Sequence, residues 1–378
     1  MKRLVTGGAV LAFILGSTAS MMGCGGSSSG NPAKSALDSL PNAPLNQDTA
    51  KVAAASASSA AVGAQQVPQA SDFASTGTLP TYGVMAARIM AARDIPFEVR
   101  SAAAGALGRL GTQAVTTGCP TVTDNSTFPT GTSVDVTVDA GTGCSAGTGV
   151  TLSGSMTLKG TIDAAAGTVD VKIAVNNFAE TMACSTGSLT VTLNGSGSAS
   201  ATGLTAASTA FTVAQKTNVT IGFGGTCNSQ SLSGSGFIFL DATLTATRSG
   251  NVWTFDAAES GGTEILAAGT KFGEYYDWKG TLTVDTKGTL TGADDTGTVV
   301  ITGRVGWDDP VVGKGKVDIT YNANFDHAVC FDEPVSGTLQ LGAGSNTAVM
   351  TFDGATNGCG CAPWTLNGVA GTPNPLCW

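Results

Sequence analysis

Apolar and polar residues alternate with a period of two along most of the chain from Cys119 onward. The clearest run is Lys316 to Phe325, where Val317, Ile319, Tyr321, Ala323 and Phe325 take every second position between Lys316, Asp318, Thr320, Asn322 and Asn324. Successive side chains of an extended strand point to opposite faces, so this run has one dry face and one wet face. Ser133 to Asp139, Met156 to Ile162, Thr168 to Val175, and Trp253 with Phe255 repeat the pattern. Turn signals such as Asp139-Ala-Gly-Thr-Gly, Ser249-Gly-Asn, Lys287-Gly and Gly292-Ala-Asp-Asp-Thr-Gly fall between the runs. Their spacing, roughly 8 to 14 residues, is that of hairpins in an antiparallel meander. Residues 119–378 are therefore predicted to be an all-β domain. Its one-sided strands must close on themselves or on a second sheet. One long curved sheet forming a barrel or clam satisfies this, and so does a pair of stacked sandwiches divided near residue 250. A parallel β-helix fits less well, because no fixed-period repeat is found. Aromatic residues, 6 % of the chain, are too few for the two girdles of a transmembrane barrel.

Upstream the texture changes. Val84, Met85, Ile89 and Met90 recur at helical spacing with Arg88 and Arg93 on another face. Pro96, Glu98, Leu107, Leu110 and the following Gly111 mark a second short helix. Residues 81–118 are thus expected to form a short, net basic helical segment, more suited to clasping the acidic β region than to lying on a membrane. Residues 24–80 are dominated by Ala, Ser and Gly, with an Ala-rich patch from Ala50 to Gln65, and read as a flexible tether. Wholly flexible, it would have a root-mean-square span of about 40 Å.

At the N-terminus, Lys2 and Arg3 precede an apolar run from Leu4 to Gly16, the length of a signal-peptide core and too short to span a bilayer. The run leads into Met21-Met22-Gly23-Cys24. This order of charge, apolar core, small residue and cysteine resembles the lipobox signal of bacterial lipoproteins. The resemblance implies a signal peptide over residues 1–23, cleaved before Cys24. It also implies diacylglycerol on the Cys24 thiol and an acyl chain such as palmitate on the new amine. Gly25 after the cysteine implies sorting to the outer membrane, on its periplasmic or its surface face.

Composition narrows the partners. Charged residues make up 12 % of the chain, with 18 basic and 27 acidic residues and a pI near 4.5. No basic footprint for nucleic acid is present. Without Cys24, eight cysteines remain: Cys119, Cys144, Cys184, Cys227, Cys330, Cys359, Cys361 and Cys377. Behind a signal peptide they read as a disulfide framework. Eight cysteines allow 105 connectivities, and the local solution joins Cys119 to Cys144 and Cys184 to Cys227. Cys359 and Cys361 point alike along an extended strand, so each reaches a different partner, leaving Cys330 and Cys377 for this pair.

Candidate chemistry is sparse. Gly143-Cys144-Ser145-Ala146-Gly147 matches G-x-S-x-G by letters, but Gly-rich turn and strand surround it where a nucleophile elbow needs a strand and a helix. The single histidine, His327, lies near Asp326, Asp332 and Glu333 and has no second histidine to complete a zinc site. Asp294-Asp295 and Asp308-Asp309 lie in turns and match no calcium-loop pattern. No cofactor is expected. The densest aromatic cluster is Glu274-Tyr275-Tyr276-Asp277-Trp278, and Trp307 stands beside two aspartates. Aromatic faces beside hydrogen-bonding acids can stack on sugar rings, which makes these six residues the candidate ligand surface. The sequence therefore predicts a non-catalytic, lipid-anchored envelope protein with a structural or interaction role. Two further readings remain open: a β-sheet module that binds a glycan or a lipid, and, more weakly, an envelope hydrolase. A second envelope protein is a further candidate partner.

Overall fold

The computed structural model describes residues 31–47 and 119–377, apart from short interruptions at 128–129, 164, 206–207, 228–229, 268, 286–295, 311–312, 327 and 331–333. Strands β1 (Thr121–Asp124), β2 (Ser133–Gly147), β3 (Val150–Asp163), β4 (Thr168–Ala183), β5 (Gly187–Thr202), β6 (Ala210–Cys227) and β7 (Gln230–Ser249) follow one another directly. They continue through β8 (Val252–Ala267), β9 (Thr270–Asp285), β10 (Thr296–Asp309), β11 (Gly313–Asp326), β12 (Ser336–Ala343) and β13 (Asn346–Asp353). After a short helical turn come β14 (Cys361–Ala362), β15 (Trp364–Leu366), β16 (Val369–Ala370) and β17 (Leu376–Cys377). Fifteen of these strands form one antiparallel sheet in chain order, while β14 and β17 pair separately. The all-β meander predicted from the alternation is the observed fold. No division falls near residue 250, because β7 and β8 stay in register across that tight hairpin from Ser249 opposite Val252 to Gly234 opposite Ala267.

Register explains the core. On one face, Gln215, Ala242, Glu259, Trp278, Gly303 and Ile319 stand in line across six strands, and the rows on either side, from Val213 and Leu244 to Tyr321 and from Leu240 and Tyr276 to Val317, are mostly apolar. On the other face the corresponding row reads Thr245, Asp256, Thr281, Val300, Asn322 and Thr338. A sheet with this pattern buries its first face and leaves the second in water. The apolar face forms a continuous buried cluster from Val134 on β2 to Trp364 on β15, with Phe211, Trp253 and Phe255 in mutual ring contact. In β5, by contrast, Ala201 alone of the strand is buried. Its inward positions Gly195, Gly197 and Ala199 are small, so packing thins where Gly and Ser dominate.

Two disulfides brace the N-terminal half of the sheet, one of them beside that thin region. Cys119 joins Cys144 on β2, and Cys184 joins Cys227, tying the turn after β4 to the end of β6. Cys330–Cys359 and Cys361–Cys377 brace the short C-terminal strands. Cys359 and Cys361 take different partners, drawn from Cys330 and Cys377, as strand geometry predicts.

The tether prediction needs correction for residues 31–47, which are packed onto the sheet. Helix α1 (Pro32–Ser39) lies across the polar face, and its Ala33 and Leu37 form a buried patch with Phe237, Phe239 and Tyr275. The chain then runs along the edge of β11, where the shorter β12 no longer covers it: Lys316 N donates to Pro41 O and Ala43 N donates to Lys316 O, both at 2.9 Å. Beyond this point Ala43 and Leu45 enter the core on the opposite face. Residues 31–45 are thus a strap that crosses from one face of the sheet to the other. Close approach depends on two glycines: a Cβ at Gly306 would lie 2.6 Å from Leu37 and Leu40, and one at Gly315 would lie 2.6 Å from Ala43. Ion pairs surround the strap, with Lys34 on Asp277 and Arg304 bridging Asp38 and Asp277. These are partly exposed and contribute less than about 1 kcal/mol each, whereas each buried leucine contributes about 2 kcal/mol, so apolar contact holds the strap more strongly than charge does. Apolar residues at low density are enough when a preformed patch receives them. The expected helical segment over 81–118 lies outside the described residues.

Two outcomes follow from this arrangement. Peptide mapping of unreduced protein should recover the four disulfides named above, and peptides linking Cys330 to Cys377 would contradict the fold. Leu37→Ala removes a fully buried side chain and should weaken strap docking by about 2–4 kcal/mol. Hydrogen exchange at the Lys316 amide, which the strap alone covers, should then accelerate at least about tenfold while amides in the centre of β7 and β8 stay protected.

Candidate functional site

Period-two geometry divides the six candidate ligand residues between the two faces of the sheet. Tyr275 and Asp277 point to the polar face, whereas Glu274, Tyr276, Trp278 and Trp307 belong to the other. They form no common exposed surface. Tyr275 is 2 % exposed because α1 covers it, and Trp307 is 5 % exposed within the core. The Tyr275 hydroxyl donates to Glu264 Oε2 at 2.6 Å, and Glu264 also pairs with Lys271 at 2.7 Å. Burial, and then the hydrogen bond and charge of Glu264, hold this phenol far above its ordinary range, so it stays a neutral donor. Asp277 serves the strap. Partial burial alone would raise its pKa, but hydrogen bonds and charge from Lys34 and Arg304 hold the carboxyl below its usual value.

The apolar face carries an acid that sequence reasoning passed over. Glu259, on β8, is 7 % exposed and stands between Ala242 and Trp278 in the cross-strand row. Tyr276 packs over Gly261, two residues along, and lies beside the Glu259 carboxyl. Burial pushes the Glu259 pKa up to about 7, and the neighbouring Tyr276 hydroxyl offsets only part of the rise. Burial and the neighbouring Glu259 charge in turn hold Tyr276 well above the ordinary phenol value. A carboxyl at an inward position, flanked by inward Ala257 and Gly261 in the β8 alternation, was the readable signal.

On the polar face, an open groove of about 470 Å³ lies beside the start of α1. Asp241, Thr243, Ser260, Lys279, Thr302 and Arg304 line it together with Asn31. Asn31 is pinned there: its Oδ1 accepts from Lys34 N at 2.8 Å, capping the helix, and its Nδ2 donates to Ser260 Oγ at 2.7 Å. The groove offers hydroxyls and charges, several of them already paired, so it is built for hydrogen bonding.

Other sequence candidates fall in unremarkable places or outside the described residues. Ser145 sits on exposed β2 where the chain turns back into β3, and its Oγ donates to Gly147 O at 3.2 Å. Asp308 faces Lys271 at 3.9 Å. His327, Asp294, Asp295, Asp332, Glu333 and Cys24 lie outside the described residues. Among the described residues, no three His, Cys, Asp or Glu side chains converge on a metal position. Comparisons of the chain with protein-family models, curated proteins and solved structures found no match.

The raised Glu259 pKa makes stability depend on pH. Below about pH 4.5 the carboxyl is protonated in both folded and unfolded chains and carries no penalty. Between pH 4.5 and about 7 the unfolded chain releases its proton first, and stability falls by about 3 kcal/mol, levelling above pH 7. Denaturant unfolding across this range should show the decline, and Glu259→Gln should flatten it by stabilising the protein at pH 8 with little effect at pH 4. An unchanged slope in the variant would place the titration elsewhere.

Proposed function

We propose that the chain is a lipid-anchored, non-catalytic protein of the bacterial cell envelope, with its β domain serving a structural or interaction role at the outer membrane. The observation that carries this reading is the ordered signal from Lys2 to Cys24, which ends in the lipobox-like Met21-Met22-Gly23-Cys24. Four disulfides fit an oxidising compartment outside the cytoplasm. Among the described residues the polar face carries Thr, Asn, Asp and Lys in register and has no continuous apolar band, which suits a domain standing in water at a membrane rather than within it. The hydroxyl-lined groove beside Asn31 favours a second reading, in which the same domain takes a glycan or a polar lipid headgroup.

Cys24→Ala should move the protein from the membrane to the soluble fraction and remove the mass of its acyl chains. Each buried methylene contributes about 0.8 kcal/mol to membrane residence, so two or three chains make an anchor that washing does not reverse. A Cys24→Ala protein that still sediments with membranes would refute the anchor. Purified mature protein should leave envelope polymers intact, and hydrolysis abolished by Ser145→Ala would overturn the non-catalytic reading. Glycan binding lost in Thr243→Ala with Thr302→Ala would support the second reading.

A further inference from the structure

The strap changes the length of the link between anchor and domain. Read as a flexible tether, residues 24–80 separate Cys24 from the fold by more than fifty residues, but α1 begins on the sheet at Pro32 and Asn31 is bound to Ser260 on β8. Only six residues, Gly25 to Gly30, and so seven Cα–Cα steps, connect Cys24 to Asn31. Fully extended, they span at most about 25 Å, roughly the width of a small domain. Residues 48–118 lie between two fixed points, Gln47 and Cys119, and so add nothing to the reach of the anchor.

The place where the chain meets the fold is specific. Asn31 lines the groove on the polar face, bound to Ser260 of β8, and shares that lining with Asp241 and Thr243 of β7. Around this point the surface is polar: Thr243, Thr245 and Thr247 alternate along β7, Thr254, Asp256 and Ser260 along β8, and Lys216 pairs with Asp241 at 2.6 Å. Charges of both signs and many hydroxyls match a layer of zwitterionic headgroups, against which such a face can rest without inserting.

We propose that the polar face of β7 and β8 beside Asn31 is the membrane-facing side of the domain, kept against the lipid headgroups by the six-residue leash that follows Cys24. This inference rests on acylation of Cys24. The strap therefore orients the domain: its docking fixes the leash over β7 and β8, and because the sheet must curve to enclose its apolar face, β12 and β13, five and six strands along, lie farther from the bilayer.

The test uses full-length acylated protein reconstituted in phosphatidylcholine–phosphatidylethanolamine vesicles containing a headgroup spin label. A fluorescent amino acid is placed at Thr245 on β7 or at Thr351 on β13, two exposed positions in one cross-strand row and six strands apart, about 29 Å along the sheet. Loss of fluorescence is expected at Thr245, with the Thr351 signal retained. A Gly-Ser spacer of about 30 residues inserted after Gly30, with a contour far beyond 25 Å, should abolish the difference while the protein stays on the vesicles. Equal quenching at both positions in the native protein would overturn the inference, as would a difference that survives the spacer. Absence of acyl mass on Cys24 would instead defeat the anchor itself, and the orientation with it.

Discussion

Every part of this structure depends on one constraint: a strand shows alternate side chains to opposite faces, and fifteen strands paired in chain order, with bulges only among β2 to β5, add these choices into two surfaces. Because the meander connects neighbours only, a position on β7 fixes the face of its partners on β6 and β8, and the choice propagates without a register shift from β5 to β13, with bulges resetting it toward β2. One surface collects Val, Ile, Leu and aromatic rings and must leave water. The other collects Thr, Asn and charged residues. Strand length, turn chemistry and disulfide position are adjustments around that division. Where inward residues shrink to Gly and Ala, as on β5, apolar packing contributes less and the Cys184–Cys227 link restrains the neighbouring strand ends.

The strap resolves an exception that the alternation creates. Phe237, Phe239 and Tyr275 fall on the wet face, and β11 outruns β12, leaving a length of backbone without a partner on one side. A segment of fifteen residues remedies both, covering the rings with α1 and pairing Asn42 beside Lys316. Lys316 takes part three times, through its N–H, its carbonyl and its Nζ, which donates to Asp38 O at 2.7 Å. The two problems lie next to each other, and one piece of chain meets both.

Much of this was legible before the structure. Lys316 to Phe325 showed its two faces in the letters themselves, and cysteine spacing led to Cys119–Cys144 and Cys184–Cys227, while strand geometry left Cys330 and Cys377 to Cys359 and Cys361 without assigning which to which. The candidate ligand residues were also separable in principle, since Tyr275 and Tyr276 are neighbours in a strand and must point apart. Clustering in sequence drew attention away from that alternation. The strap was hidden for a different reason: Ala33, Leu37 and Leu40 are too few to predict burial by composition, and their receiving patch lies more than two hundred residues away. Asn31-Pro32, a helix cap followed by proline in the first turn, was the local sign. Glu259 was obscure because its pKa depends on what surrounds it, and neither Tyr276 nor Trp278 is near it in sequence.

Separation along the chain gives the strap a place in time. Hairpin contacts close over short stretches, but Asn31 meets Ser260 across 229 residues and Asp38 meets Lys316 across 278. Contacts of such span form late, after the surfaces they join exist. In a chain emerging from its N-terminus, the segment that appears first therefore waits for β8 through β11 before it has a seat. Until then three aromatic rings and an open strand edge stand uncovered, the features by which chaperones and proteases distinguish an unfinished protein. Docking of the strap thus acts as a completion mark: the sheet conceals its last adhesive surface only when its beginning and its later strands have met.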